Sequence, residues 1–377
     1  MTRKAEVYDV VIAGGRIAGA ATALLLARAG LRVLVAERAA EGTDTVSGHL
    51  IKPDGLARLS AWGVLPGLLA TGCPPITGAE LVVDGRPLPG TRWPEDLPAP
   101  LAPRRHVLDR LLQQYARRAG ATVRCATSFR SRDGHVITLS DRTVRARLLI
   151  GADGRHSAVA RAVGAAYLDK RPGRSSAWYA YWDGSPLRGL RVELGRGKFA
   201  GAFPTHDQKV LAFVQLPVAG WRPGQGHQQL RDGLRACRTV GDALGPARLA
   251  SPVVGARDLP VYFRQAAGAD WALVGDAAHH KDPLAARGIA DALLGAELLT
   301  GYVLQGWAGD LPGALSAYSG EVRRLLQPTA DLNDRLARLD LTGDGLRSGW
   351  QALHAAEIEL VSSPAPRRGH RWPVRLR

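Results

Sequence analysis

Lysine is scarce in this chain: only six of its fifty basic residues are lysine, and the rest are arginine. Cysteine is scarcer. Cys73, Cys125 and Cys237 stand far apart with no Cys-x-x-Cys pairing, which argues against a disulfide framework or a zinc site and suits a reducing cytoplasm. Long apolar runs are missing too. Ala20–Ala29 is too short to span a bilayer, and the run Asp9–Ala13 meets glycines too early for the core of a secretory signal. The expectation is a cytoplasmic protein with no membrane span. No basic stripe interleaved with aromatics and no helix-turn-helix pattern stands out, so nucleic acid is not the expected partner despite a formal charge of +16. That charge has two readings: a general arginine-rich composition, or attraction of anionic substrates and NADPH phosphates. No Ser-His-Asp or metal-ligating constellation is visible, and no metal is expected.

What is present is apolar substance. At 46% hydrophobic over 377 residues the chain can bury a large core, in two domains or in one α/β domain with an inserted sheet. Val7–Ala13 reads as a strand, Gly14-Gly15 as a turn, Ile17–Ala29 as a helix stopped by Gly30, and Leu31–Ala36 as a second strand closing on Glu37. This is a βαβ unit of about thirty residues, the size of a mononucleotide-binding half. A helix with its cap is expected over 53–72, a hairpin over Glu80–Leu88 turning at Asp84-Gly85, and an amphipathic helix over Val107–Arg118. Strands are expected from Thr122, over His135–Leu139 and over Thr143–Ile150. Between about 176 and 262, short β-like runs (Ser176–Trp182, Leu190–Leu194, Phe199–Pro204, Val210–Pro217) mark a sheet-rich insertion. Trp271–Val274 is one more buried strand, helices follow, and the basic, Pro-rich tail Pro364–Arg377 reads as a loosely ordered end.

Three segments carry chemistry. The first is Gly14-Gly15-Arg16-Ile17-Ala18-Gly19, in which Gly14 and Gly19 hold the first and third places of a G-x-G-x-x-G fingerprint and Arg16 replaces the second glycine. The Arg16 side chain must turn away from a bound pyrophosphate or lie along it. Glu37, about twenty residues on, stands where an acid binds ribose hydroxyls, which favours FAD or NAD over NADP. The second segment is Gly151-Ala152-Asp153-Gly154 after a hydrophobic strand; taken alone, Asp153 reads as the cap of a helix over Ser157–Ala162. The third runs from Gly275-Asp276 through His279-His280-Lys281-Asp282-Pro283 to Gly288, which opens a helix. Asp276 can accept a ribityl hydroxyl, the helix N-terminus can stabilise negative charge on a flavin edge, and Asp282 can be a cap.

In this order and spacing the three segments resemble the FAD-dependent monooxygenases of the p-hydroxybenzoate hydroxylase type, a superfamily that also holds flavin halogenases and geranylgeranyl reductases. The resemblance covers nearly the whole chain. It implies an α/β, Rossmann-like (GR2-type) FAD-binding domain over 1–75, 103–166 and 263–377, with C-terminal helices, and a substrate-binding sheet domain over 76–102 and 167–262. It implies FAD held by Gly14, Gly15, Arg16, Ile17, Ala18, Glu37, Arg38, Arg105, Val123, Asp153, Gly275, Asp276, Pro283, Gly288 and Ile289. Arg105 begins an R-x-x-L pattern with Leu108, and Arg104 is the neighbouring alternative. The chain departs from the family at Arg16, at Arg287 where many members have glutamine, and at Ala290 where many have asparagine.

The chemistry implied is reduction of the flavin by NADH or NADPH, directly or through a separate flavin reductase, addition of O₂ to give a C4a-hydroperoxide, and transfer of one oxygen to an electron-rich small molecule. Hydroxylation or epoxidation of an aromatic or polycyclic compound, of the kind met in secondary metabolism, is the leading expectation. His49, Trp178, Tyr181, Phe203 and His280 are the pocket candidates, with His49 and Lys281 the candidates for acid–base work and ordinary core packing the alternative for each aromatic. A flavin reductase or dehydrogenase is one rival. A halogenase is another, although Trp178-Tyr179-Ala180-Tyr181-Trp182 lacks the spacing and the Ile-Pro of a W-x-W-x-I-P segment. A non-flavin NAD-binding dehydrogenase or redox-sensing module would have no need of the third segment.

Overall fold

The computed structural model describes residues 6–89 and 96–362, so the tail Pro364–Arg377 lies outside the described residues. The chain opens with β1 (Glu6–Ala13), α1 (Ile17–Arg28) and β2 (Val33–Ala36). Val10–Ala13 and Val33–Ala36 are buried on both faces, as befits paired strands inside a parallel sheet. α1 stops where Gly30 takes a φ of +91°, a left-handed value that a glycine adopts without steric cost. Two short helices, α2 (Pro53–Ala61) and α3 (Leu65–Leu69), stand where one capped helix is expected. The Asp84-Gly85 turn, both residues at positive φ, closes the hairpin of β3 (Ala79–Val83) and β4 (Arg86–Pro87). There follow α4 (Arg105–Arg118), β5 (Thr122–Arg124), the hairpin of β6 (Phe129–Asp133) and β7 (Val136–Leu139), β8 (Thr143–Gly151) and α5 (Ala158–Ala162).

β9 (Tyr167–Arg171) precedes four long strands, β10 (Ser175–Asp183), β11 (Leu190–Gly195), β12 (Lys198–Pro204) and β13 (Val210–Pro217). Then come α6 (Gly226–Ala236), α7 (Arg238–Leu244), β14 (Arg248–Leu249), β15 (Val254–Ala256), β16 (Val261–Arg264), β17 (Trp271–Leu273) and β18 (His279–His280). Three helices, α8 (Gly288–Gly306), α9 (Leu311–Ala337) and α10 (Gly343–Ser362), complete the described chain.

The result is an α/β fold with a Rossmann-like parallel layer, an inserted sheet and C-terminal helices. In the first sheet β5, β2, β1, β8 and β17 run parallel in that order, and β7 and β6 extend it antiparallel. The second runs β14-β10-β13-β12-β11-β3-β4, with β15 also on β10. β3 joins β11 in parallel, so the segment before α4 supplies strands to the inserted sheet. The third, β18-β16-β9, takes Tyr167–Arg171 away from the inserted sheet, which the chain enters only at Ser175.

α6 and α7 were not expected within the insertion. Leu230, Leu234, Cys237, Val240 and Leu244 recur at spacings of three and four, and that stripe covers one face of the second sheet. On the other face α10 lays Leu346, Trp350 and Leu353 against Phe199, Leu194 and Val83. Among the described residues no helix is long and apolar enough to cross a membrane.

The start of α1 depends on Gly19, where an added Cβ would sit 1.8 Å from the Gly14 carbonyl oxygen and 3.1 Å from the Ala152 Cβ. Because both obstacles belong to the turn and its neighbouring strand, the contact has no flexible end to yield. Gly19→Ala is expected to cost on the order of 1–3 kcal/mol or more, read as a lower urea midpoint of the purified protein.

Candidate active site

The three sequence segments meet at the C-terminal edge of the parallel strands, where open α/β sheets bind ligands. Gly14, at φ +99°, lies so close to the second segment that a Cβ would fall 2.3 Å from the Ala152 oxygen and 2.9 Å from the Asp153 nitrogen. Gly275, at φ +62°, presses on the Cβ of Ala18 in the first segment at 2.9 Å from its own ideal Cβ. Ala152 N–H donates to the Ala13 carbonyl and Val274 N–H to that of Gly151, tying the three strand ends in a row.

At one end of this edge a cleft is lined by Arg16, Glu37, Ala39, Gly42, Asp109 and Gln113 among others. Glu37 is buried and accepts from Gly15 N–H at 2.6 Å and Ala39 N–H at 2.9 Å, so the strand-end acid also fixes the glycine turn. Gln113 of α4 closes the turn from the other side, donating to the Gly15 carbonyl at 2.8 Å. Arg16 starts α1 from extended backbone and its side chain lines the cleft. Arg38 is exposed, and Val123 sits in register with Val35 on the sheet edge. Arg105 forks onto Asp109 with both contacts to its Nη2 at 3.1 Å, whereas Arg104 lies over the Tyr181 ring at 4.9 Å. Of the two arginines, Arg105 is tied to Asp109 of this cleft and Arg104 lies at the aromatic wall described below. Asp153 caps α5, accepting from Ser157 Oγ at 2.5 Å and Ala158 N–H at 2.6 Å.

Further along, the segment Trp271–Leu294 is buried except at a few positions, and Asp276, Pro283 and Gly288 are the ones most exposed. Ile289, just inside α8, is buried. A Cβ on Gly288 would meet nothing within 4 Å, so the N-terminus of α8 faces open space. Neither α1 nor α8 has a side-chain N-cap, which leaves first-turn N–H groups of two long helices free for a ligand. An open helix end, an exposed carboxylate at Asp276 and the Glu37 cleft on one sheet edge fit an extended dinucleotide with a flavin end.

The inserted sheet supplies the opposite wall. Strand alternation puts Ser175, Ala177, Tyr179 and Tyr181 of β10 on one face, with Leu211, Phe213 and Gln215 of β13 and Phe199, Gly201 and Phe203 of β12. Ala177, Tyr179 and Phe213 are half-buried there, so this part of the face is open. Trp178 was expected in the pocket and is not: it points to the other face, stacked on Trp221 at 4.0 Å in the cluster under α6. Phe203 is on the pocket face but fully buried beneath Tyr181 and Leu211. His280 was expected in the pocket as well; it stacks on Tyr262 at 5.7 Å and its Nδ1 meets the Pro260 carbonyl, inside the third sheet. Tyr179, Phe213 and Ala177 share this face with Tyr181, and the sequence pattern did not single them out.

His49 comes to this wall. At φ +62° the chain after Gly48 folds the imidazole back onto Tyr181, stacked at 5.8 Å with Nε2 hydrogen-bonded to the phenol oxygen. Tyr179 meets the imidazole edge-on at 6.1 Å, and its oxygen accepts from Ser47 N–H. Burial pulls the His49 pKa down to about 3 and raises that of Tyr181, so both are neutral at neutral pH. His49 Nδ1 is buried with no partner. A bare acceptor there costs less than an orphaned N–H, so the proton belongs on Nε2 and points at the Tyr181 oxygen. The Tyr181 hydrogen is then available to a molecule against the wall.

Lys281, the other candidate for acid–base work, lies in a buried ion pair. Its ammonium pairs with Asp291 and donates to Thr329 Oγ1 at 3.3 Å. Asp291 also takes Arg287 Nε at 3.0 Å, and Arg287 Nη2 reaches Asp54 at 2.7 Å. Arg287, Asp291 and Asp54 are at most 2% exposed, and the two cations hold the Asp291 carboxyl well below the usual range. This network ties the start of α8 to α2 through Arg287.

Among known families, the one described as FAD binding domain matches residues 7–332 of the chain. The chain is 28% identical over 309 residues to 6-methylpretetramide 4-monooxygenase of Streptomyces rimosus, covering 74% of this chain and 71% of that protein. It is 26% identical to rifampicin monooxygenase of Streptomyces venezuelae, covering 94% and 75%. Among solved structures it resembles the flavin-dependent brominase Bmp2 (TM-score 0.78, 18% identity, 94% and 93% covered). It also resembles 2-methyl-3-hydroxypyridine-5-carboxylic acid oxygenase (TM-score 0.73, 20% identity, 98% and 100% covered). At these identities the structural likenesses show a shared fold.

Two outcomes follow from the buried charges. Lys281→Met leaves Asp291 short of a cation in a dry site and is expected to cost on the order of 3–5 kcal/mol, read as a lower urea midpoint. His49 and His279, held by burial at about 3 and about 4, are neutral in the folded chain below pH 6.5, where the unfolded histidines bind protons. Their contribution is intact above pH 6.5 and lost as pH falls toward 4. His49→Asn, which tolerates the left-handed backbone, is expected to flatten the decline of unfolding free energy over that window.

Proposed function

The chain belongs to the FAD-binding domain family, and from that premise we propose that it hydroxylates a planar aromatic or polycyclic small molecule bearing a ring oxygen. It is an FAD-dependent monooxygenase. Bound FAD supplies the activation of O₂ with electrons from NADH or NADPH, one oxygen atom entering the substrate and the other leaving as water.

In this reading the chain's own residues do the binding and orienting. Gly14, Gly15, Arg16, Ile17, Ala18, Glu37, Arg38, Arg105 and Val123 hold the ADP half. Asp153, Gly275, Asp276, Pro283, Gly288 and Ile289 line the ribityl and flavin half. The substrate lies on Ala177, Tyr179 and Phe213, with its ring oxygen toward Tyr181. His49 donates to the Tyr181 oxygen and so orients the phenol hydrogen toward the substrate, while the Arg104 guanidinium over that ring strengthens it as a donor. A donor at the ring oxygen fixes which carbon is presented to the flavin side.

The observation that carries the proposal is the half-open aromatic face of the inserted sheet beside the neutral His49–Tyr181 pair. The matched relatives named for modifying 6-methylpretetramide, rifampicin and aklavinone are in keeping with a polycyclic substrate.

The test is a screen of hydroxylated polycyclic aromatics against the yellow, FAD-loaded protein with NADH or NADPH. The expected result is substrate-stimulated consumption of the nicotinamide and a product carrying one atom from ¹⁸O₂. Tyr181→Phe is expected to lower kcat/KM by about tenfold to a hundredfold without loss of FAD, the cost of a hydrogen bond made to the reacting molecule. Products that form without O₂, or that gain bromine when bromide is added, would overturn oxygenation in favour of reduction or halogenation.

A further inference from the structure

Asp282 is 3% exposed, yet its carboxylate is met by three donors from three elements. Ser175 Oγ of β10 donates at 2.5 Å, Gln215 Nε2 of β13 at 2.5 Å and Leu284 N–H at 3.0 Å. Gln215 Nε2 also reaches Ser175 Oγ at 2.5 Å. On the other side the Asp282 carbonyl accepts from Asn333 Nδ2 of α9 at 2.7 Å, and Asn333 Oδ1 accepts from Ala285 N–H at 3.0 Å. A helix cap needs the Leu284 contact alone. The two further donors come from the face that carries Ala177, Tyr179 and Phe213, each only two residues along its strand from one of them.

We propose that Asp282 is a positioning residue, clamping the loop that carries Pro283 and the open start of α8 to the two strands that form the aromatic wall. The placement of that wall on the substrate side, and of the loop on the flavin side, rests on the reading above. Burying a carboxyl is costly, and here burial pushes its pKa up to about 6. The cost is met by donors that fix distance and direction between the second sheet and the loop before α8. The Pro283 edge and the N–H groups at Gly288 are thereby held in register with the wall, with Ala286 at φ +50° taking the bend between them. A shift of the wall is transmitted through Ser175 and Gln215 to the open helix end, whose dipole would act on a bound flavin.

The test uses FAD-loaded protein and needs no substrate, so its failure is separable from failure of the proposed function. Asp282→Asn, Ser175→Ala and Gln215→Leu are compared with the parent by visible absorption, visible circular dichroism and the midpoint potential of the bound flavin. Glu193→Ala is the control: Glu193 is a buried carboxylate of the same sheet that faces the helix side, accepting from Lys198 and Thr239 N–H. All three clamp variants are expected to shift the flavin bands and its potential, while Glu193→Ala lowers stability and leaves both in place. If Asp282→Asn does not fold, the two single-donor variants decide the matter. Unchanged bands and potential in the clamp variants, or an equal shift in Glu193→Ala, would overturn the proposal.

Discussion

The close approach of backbone to backbone at Gly14 is the constraint on which the rest of this structure depends. Gly14 lies against Ala152, Gly19 against Gly14, and Gly275 against Ala18, so three segments separated by more than a hundred residues share one sheet edge with nothing larger than an alanine methyl between them. Only where the Cβ is missing can the strand ends line up and leave their helices' first N–H groups pointing outward. The binding edge is thus made by subtraction, and Glu37 and Gln113 hold the gap in shape by bonding the Gly15 amide and carbonyl.

A second constraint answers the first. Beside the buried apolar residues Leu284, Ile289 and Leu293, the chain fixes the start of α8 with charge. Lys281, Asp291, Arg287 and Asp54 form a buried run of alternating sign, and Lys52 meets Glu357 of α10 close by. Such a network adds little net stability over an apolar packing of the same volume, but each member is intolerant of losing its partner. It therefore specifies one arrangement of α2, α8 and the loop between β18 and α8. The Asp282 clamp does the same on the neighbouring side with neutral donors.

The parallel layer was legible because its signals are local. Continuous apolar strands, a glycine turn, a helix and an acid lie within forty residues, and the Asp-Gly hairpin and Gly30 stop fall where the spacing puts them. Asp153 was legible both as a motif residue and as a helix cap, and the carboxylate sits on the helix end. The charge network was not legible. Arg287 and Asp291 are four apart on one helix, but Asp54, Lys281 and Glu357 come from elsewhere in the chain, and nothing in their neighbours announces the contact. Lys281 was read as chemistry because a lysine beside an expected flavin loop is conspicuous, whereas in the fold it neutralises Asp291. The helices α6 and α7 were within reach, since their leucines follow a helical stripe among polar residues.

The misplacement of Trp178 shows how the aromatic wall is decided. Trp178 and Tyr181 are an odd number of residues apart on one strand, so an unbroken period of two sends them to opposite faces; Tyr179 and Tyr181 share a face, and it is the one with Phe203 and Phe213. That parity also decides what the wall can hold. A side chain at 201 would meet the Phe213 ring at 2.5 Å, so glycine there lets the ring lie across β12, and Ala177 keeps the neighbouring strand low. The half-buried part of the face is Ala177, Tyr179 and Phe213, with the Tyr181 hydroxyl beside it. In the proposed reading, a flat molecule of several rings would cover such a surface. A single small ring would leave Phe213 and Tyr179 in water and lose the burial that favours binding.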